Sequence, residues 1–462
     1  MRRLLLSVLL LLSGAVCLPE NAAGRHCRDT EDWVYRTDPR TGRPEKFFGI
    51  GFWRVPGYSP TTVPDLDESG AKEYAKRTSW CNIVLSDPRS LKPYMHDRIQ
   101  MITNFANPVF GRYLDKAASW PQTPDKDYYR NRYLQAHIDD PAFAQALDDA
   151  LDSLIRAFDG CQRIYAPIDE IALGGLTRWF LPAELGDKIY ERIRRKEVDP
   201  IVLVDLLGHG RGSTFFFEKN YRKTHKQLPA DPPYDVLEER ARLQKQFPLL
   251  GFFQAHDGTP VYRFDAEGKY AYADLDTERL KAIWYENVRQ VAAAYKHNGN
   301  VFSLNAFRDF FACPALAAVT TDALKAGLGK KPVWLYFDGN GYAKPASMSP
   351  QEYVRLVKCQ IYTSLVHGAT GVMFWNDGSK GPAVFDALQP MLQALQEDLP
   401  VVKMRTVERR IRGELHLMVK RDASGRRYVI ATNTGRTEAV SLPFPIAGKQ
   451  ELAPLEVLVS AL

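Results

Sequence analysis

Short apolar runs rich in β-branched and aromatic residues recur along the chain, separated by stretches whose apolar positions fall at helical spacing. Eight runs read as strands: Phe47–Trp53, Cys81–Leu85, Met101–Asn104, Arg163–Ile168, Ile201–Leu206, Val301–Leu304, Val333–Phe337 and Gly371–Trp375. Most lack polar alternation, the pattern of strands covered on both faces. The helical stretches carry end signals. Asp140-Pro141 opens a periodic run that ends at Gly160, and Asp276 precedes one through Ile283, Trp284 and Val288 that stops near Gly299. Ser349-Pro350-Gln351-Glu352 is a capping box with Pro at the first helical position, and Gly368 ends that helix. Parallel neighbours need crossovers, so strands alternating with helices predict an α/β fold, a (β/α)8 TIM barrel, with an open doubly wound sheet as the alternative. The interval Gly208–Asn298 exceeds a plain crossover and predicts a hairpin near Thr259–Tyr272 over the barrel mouth.

After about Val401 the pattern changes. Glu414–Lys420 alternates as a strand, Asp422-Ala423-Ser424-Gly425 turns, Arg427–Thr432 returns, and two further strand-like segments end at Ser460. This spacing predicts a small C-terminal antiparallel β-sandwich. The expected division is a signal peptide over residues 1–24, a catalytic barrel over 25–400 and the sandwich over 401–462. The leader rests on Arg2-Arg3, the apolar run Leu4–Leu12 and the break at Ser13-Gly14-Ala15, with cleavage after Cys17 or Gly24. The run falls short of the ~20 residues of a bilayer span, so it predicts export, to a periplasmic, secreted or cell-surface location. A lipidated Cys17 would add a membrane tether, although Gly14-Ala15-Val16 matches a lipoprotein signal poorly.

Composition narrows the function. With 462 residues, 45% hydrophobic and 25% charged, the chain is neither disordered, collagenous nor coiled coil. Its formal +6 comes with no dense Lys/Arg run interleaved with aromatics, so no nucleic-acid partner is expected. The 23 Phe, 22 Tyr and 8 Trp, many beside Gly, Asp or Asn, suit stacking on flat polar ligands. Past the leader, Cys27, Cys81, Cys161, Cys313 and Cys359 are odd in number and widely spaced, which argues against a disulfide framework or a CxxC metal site while leaving room for one bridge. Cys81 and Cys161 read as small buried apolar residues.

In a barrel of this kind the active site lies at the C-terminal strand ends. Those ends carry Trp53, Asn104, Asp169-Glu170, Asp205, Asn305, Tyr336 and Asp338, and Trp375-Asn376, with Asp87, Arg308 and Asp377 nearby. Acids and amides bind hydroxyls and aromatic faces stack on sugar rings, so a carbohydrate substrate is expected. Glycosidic cleavage needs a proton for the departing oxygen and a carboxylate for the oxocarbenium side. Glu170, flanked by apolar residues and beside an acid, fits the general acid, and Asp338 fits the nucleophile or base. Bland alternatives stand beside each: Asp169-Glu170 as a cap and surface acid before a helix at Pro182–Arg195, Asp338 in turn sequence, and Trp53 and Trp375 as core plugs. Gly208-His209-Gly210-Arg211-Gly212 follows a strand, but Ser213 replaces the third glycine of a dinucleotide loop, so it reads as a flexible loop and no cofactor is expected. HExxH, GxSxG and Walker A motifs are absent, and the nine His are scattered, so no metal is expected.

On these residues the chain resembles the retaining, clan A barrel glycoside hydrolases. Phe47–Trp53 is similar to the first strand of their β-galactosidase-like members. Tyr165–Glu170 sits where they keep the acid/base glutamate. Val372–Trp375 is similar to their eighth strand, and Leu452–Val459 to the last strand of their accessory sandwich. Two positions depart: Asp169 stands where the family has Asn, and Asp338 where it has Glu. The Asp-Glu pair instead resembles substrate-assisted N-acetylhexosaminidases, which implies that Asp169 orients the 2-acetamido group, Glu170 protonates the leaving group and Tyr336 hydrogen-bonds the acetamido oxygen. The expectation is an exported glycoside hydrolase acting on oligo- or polysaccharides. The rivals are a non-catalytic glycan-binding barrel and a nicotinamide oxidoreductase.

Overall fold

The computed structural model describes residues 32–37, 41–52, 67–84, 99–103, 139–158, 162–167, 183–206, 262–264, 270–272, 277–305, 310–311, 313–341, 343–376 and 381–462. Eight parallel strands close a barrel: β3 (Gly49–Phe52), β4 (Ile83–Val84), β5 (Ile99–Thr103), β6 (Arg163–Ala166), β7 (Ile201–Asp205), β10 (Val301–Asn305), β11 (Val333–Asp338) and β12 (Gly371–Trp375). Each pairs with its sequence neighbour in the set, and β12 pairs β3 to close the ring, Gly371 opposite Gly49. Each of the eight apolar runs of the sequence therefore overlaps one stave. Their apolar character follows from burial on both sides. Ile83, Met101, Ile164, Leu203, Val301, Trp334 and Met373 fill the inside, while Ile50, Val84, Ile102, Val202, Phe302, Leu335 and Phe374 join the layer under the helices.

The first run, Phe47–Trp53, is not one strand. An antiparallel hairpin of β1 (Val34–Thr37) and β2 (Pro44–Phe47) precedes β3, and Phe48 lies between β2 and β3. The run reads as continuous because Phe47 joins the interior cluster, its ring 6.1 Å from Trp334, while Phe48 packs with the outer layer. Glycine makes room for that plug. A Cβ on Gly371 would lie 2.6 Å from Cδ1 of Trp334, and one on Gly49 would lie 2.9 Å from its Cη2.

Seven helices are described: α1 (Glu68–Arg77), α2 (Pro141–Ala157), α3 (Ala183–Lys196), α4 (Thr277–Tyr295), α5 (Leu316–Leu328), α6 (Pro350–Val366) and α7 (Ala383–Val402). Asp67, Asp140 and Ser349 cap α1, α2 and α6 with their side chains, and Glu352 completes the box by accepting from the Ser349 backbone N–H at 2.8 Å. The long interval before α4 contains the expected hairpin, β8 (Tyr262–Phe264) against β9 (Tyr270–Tyr272). None of the described helices is long and apolar enough to cross a membrane.

The C-terminal segment forms a four-stranded antiparallel sheet of β13 (Arg405–Arg412), β14 (Leu415–Arg421), β15 (Arg427–Asn433) and β18 (Val457–Ala461). A second, two-stranded sheet joins β16 (Val440–Ile446) to β17 (Lys449–Leu452). Leu417, Val419, Val429, Ala431, Ile446 and Leu452 form a core between the sheets. On the opposite face Met418 and Ile430 belong to the main core. Thr363 of α6 meets Thr432 of β15 at 2.9 Å, and the Cys359 thiol donates to the Asn433 carbonyl at 3.3 Å. Three strands follow β15 where two were expected, and β13 was not expected at all, because its sequence is almost wholly polar.

Cys81 is buried as expected, with its thiol donating to the Thr78 carbonyl at 3.2 Å, and Cys313 and Cys359 are free thiols. Cys27, Cys161 and the leader lie outside the described residues.

Candidate active site

Four consecutive staves end on polar or aromatic residues at neighbouring positions. The register sets Asp205 of β7 beside Ser303 of β10, Asn305 of β10 beside Tyr336 of β11, and Asp338 of β11 beside Trp375 of β12. Side chains alternate along a strand, so Asp205, Tyr336 and Trp375 follow the inward residues Leu203, Trp334 and Met373 by two. Half of the rim is thus built from strands whose lower turns are apolar.

Asp205 is buried, and its Oδ1 accepts from the Ser303 hydroxyl at 3.1 Å. Tyr336 is buried in the interior cluster, and the half-buried Trp375 packs at its edge. Trp375 is the more exposed of the two.

Asp338 is 3% exposed and both oxygens of its carboxylate are engaged. Oδ1 accepts from the Asn340 N–H at 2.9 Å; Oδ2 accepts from the Ala343 N–H at 2.8 Å and the Tyr353 hydroxyl at 2.7 Å. Burial raises its pKa above the usual 3.8, against the pull of these donors. The same contact and burial push the Tyr353 phenol well above 10.0. The Asp-Gly-Asn-Gly sequence therefore is a turn, and the acid in it folds the β11–α6 connection around itself.

Asn376 is buried, and its Nδ2 donates to the Gly339 carbonyl at 3.1 Å, while the Gly339 N–H donates to the Trp375 carbonyl at 2.8 Å. These bonds extend the β11–β12 pairing past the strand ends. Gly339 allows it, since a Cβ there would lie 2.7 Å from the Phe52 ring.

Glu170, Asp169, Trp53, Asn104 and the side chain of Asn305 lie outside the described residues, as do Asp87, Arg308, Asp377 and the 208–212 glycine loop. Among the described residues no three His, Cys, Asp or Glu side chains gather as a metal site. The sequence reading missed Ser303 and Tyr353. Ser303 is the one polar residue inside an apolar strand, a signal that was present. Tyr353 sits four residues after the Ser349 cap, a position that faces the barrel once the helix start is known.

No family model matches the chain. No curated protein sequence matches it either. Solved structures similar to it include an α-amylase from Anoxybacillus, at 10% identity and a TM-score of 0.47 over 90% of this chain and 97% of that one. An endo-β-1,6-glucanase aligns at 8% identity and a TM-score of 0.40, over 95% of this chain and 93% of its own. A family 51 α-L-arabinofuranosidase from Bifidobacterium longum aligns at 10% identity and a TM-score of 0.38, over 91% and 87%. These neighbours are glycoside hydrolases.

Proposed function

We propose that the chain is an exported glycoside hydrolase that cleaves oligo- or polysaccharides by carboxylate acid–base catalysis. The closed barrel carries this reading: it brings Asp205, Tyr336, Asp338 and Trp375, distant in sequence, to adjacent strand ends. Buried acids beside an aromatic face supply what a sugar site needs. Glu170, four residues past the end of β6, is the proposed general acid; its carboxyl proton passes to the glycosidic oxygen as the bond to the anomeric carbon breaks. Trp53, Asn104, Asn305 and Asn376 complete the proposed sugar-binding rim.

The second half of the reaction has two forms. Asp338 attacks the anomeric carbon, or the substrate's 2-acetamido oxygen does so while Asp169 orients it; water then resolves either intermediate and returns a proton to Glu170. One observation favours the second form. Asp338 already accepts three hydrogen bonds from its own loop and from Tyr353, and burial raises its pKa, both poor conditions for a free nucleophile.

The test is hydrolysis of a panel of aryl glycosides and oligosaccharides by the full chain and by Glu170→Gln. The expected result is turnover that falls by about 100-fold or more in the variant, the range of a lost general acid, with an unchanged melting curve. Equal rates in the two proteins would remove Glu170 from the mechanism.

A further inference from the structure

The chain's positive charge is concentrated in one place. Residues 401–462 hold eleven Lys and Arg against six Asp and Glu, a surplus of +5 out of a total of +6. The fold then sorts these charges. Cross-strand register places Arg405 of β13 opposite Arg421 of β14, and Arg421 opposite Arg427 of β15. Directly opposed residues share a face, so three arginines form a row across three strands, about 4.8 Å from one to the next.

All three are exposed, and none forms an ion pair among the described residues. The nearby acids are committed elsewhere. Glu408, on the same face of β13, pairs with Arg410, and the Asp422 carboxylate accepts from the Ser424 hydroxyl at 2.7 Å and the Arg426 N–H at 2.9 Å. Like charges placed directly opposite destabilise a sheet. Several arginines elsewhere do pair with acids: Arg192 with Asp148, Arg163 with Glu197, Arg289 with Glu286.

We propose that the Arg405–Arg421–Arg427 row is a binding surface for an acidic polysaccharide carrying carboxylates at regular intervals, a polyuronate. The proposal rests on the glycoside hydrolase reading and adds to it a second sugar-contacting site, at the exposed edge of the face whose Val419 and Val429 pack between the sheets. The strand spacing is comparable to the length of one pyranose unit, so successive arginines meet successive uronate groups of an extended chain. The guanidinium fork matches a carboxylate with two parallel hydrogen bonds, which a lysine ammonium does not. Binding would hold polymer near the barrel without taking part in bond cleavage.

The experiment is affinity electrophoresis of the full chain through gels containing polygalacturonate, a neutral glucan, or duplex DNA at a phosphate concentration equal to that of the carboxylates. A parallel co-sedimentation uses phosphatidylglycerol vesicles. The expected result is retardation by polygalacturonate alone, weakened by salt and roughly tenfold or more lower in affinity in the Arg405→Glu/Arg421→Glu/Arg427→Glu variant. Its melting temperature should stay close to that of the wild type, because the row still sets three like charges directly opposite one another. An Arg156→Glu/Arg194→Glu/Arg195→Glu variant on α2 and α3 changes the net charge by the same amount and should keep full retardation. No retardation by polygalacturonate, equal loss in both variants, or stronger binding to DNA or vesicles overturns the proposal. Glycan hydrolysis without polyuronate retention sinks only the arginine row; retention without hydrolysis of any glycan sinks only the enzymatic reading.

Discussion

The hydroxyl of Tyr353, in the first turn of α6, donates to Oδ2 of Asp338 at the end of β11 across 2.7 Å, and both groups are buried. A helix and the strand before it are thereby joined through one phenol and one carboxylate. The helix cap supplies the phase: Ser349 and Glu352 fix where α6 begins, and Tyr353 follows within that turn.

Tyr353→Phe should cost about 1–2 kcal/mol by denaturant unfolding, because the ring stays stacked on Phe311 while the carboxylate loses one of three donors. The Asp338 pKa should also rise further, since the phenol is one of the donors that lower it. An unfolding midpoint equal to that of the wild type would show that the bond adds nothing.

The two forms of the proposed mechanism respond differently to isosteric amides. With a protein nucleophile, Asp338→Asn abolishes turnover and Asp169→Asn has the milder effect. With substrate assistance, Asp169→Asn is the severe change, and a thiazoline inhibitor binds tightly. For Asp338→Asn there is also a structural effect to measure. Its amide nitrogen must face at least one N–H donor, so a stability loss of about 1–3 kcal/mol should accompany it under either mechanism.

Gly371→Ala should destabilise the fold by about 1–3 kcal/mol, because the new methyl group meets the Trp334 ring at 2.6 Å. Pairing it with Trp334→Leu should cost less than the two single changes summed, as the smaller side chain frees the space. Strict additivity in the denaturation cycle would mean that the methyl is absorbed elsewhere.

His416 gives the fold a pH dependence. Its Nδ1 lies 2.8 Å from Nε2 of His367, whose Nδ1 lies 2.8 Å from Asp322. Burial first, then the neighbouring His367 and Lys281, push the His416 pKa well below 6.5. Below 6.5 the unfolded chain binds a proton that the folded chain does not, so stability falls as the pH drops from there toward the folded pKa. Above 6.5 this residue contributes no slope. Unfolding series between pH 7 and 5 should show the decline in the wild type and a flatter line in His416→Asn.

The barrel was legible because its staves are buried on both faces, which writes each as an unbroken apolar run such as Val333–Phe337 or Gly371–Trp375. Where burial is one-sided or absent the signal fails. β13 reads Arg-Thr-Val-Glu-Arg-Arg-Ile-Arg, and only its pairing with β14 identifies it as a strand. Phe47 and Phe48 look alike in the sequence, yet one faces the barrel interior and the other the outer layer, because a hairpin ends between them. The residue types at the strand ends were legible: Asp205, Asp338 and Trp375 each close a stave. What was not legible was commitment: the carboxylate of Asp338 looks available until Tyr353 and two loop N–H groups are seen to occupy it.

The seam between β3 and β12 joins Gly49 to Gly371, and the indole that fills the space beside both glycines comes from β11. A chain leaving the ribosome thus carries its opening stave through most of synthesis before the matching edge exists. Closure has to wait for the final α/β repeats, and pairing over such a separation is slow. Any truncation short of Gly371 leaves Phe47 and Trp334 without a complete wall around them, a sticky half-shell instead of a smaller stable protein.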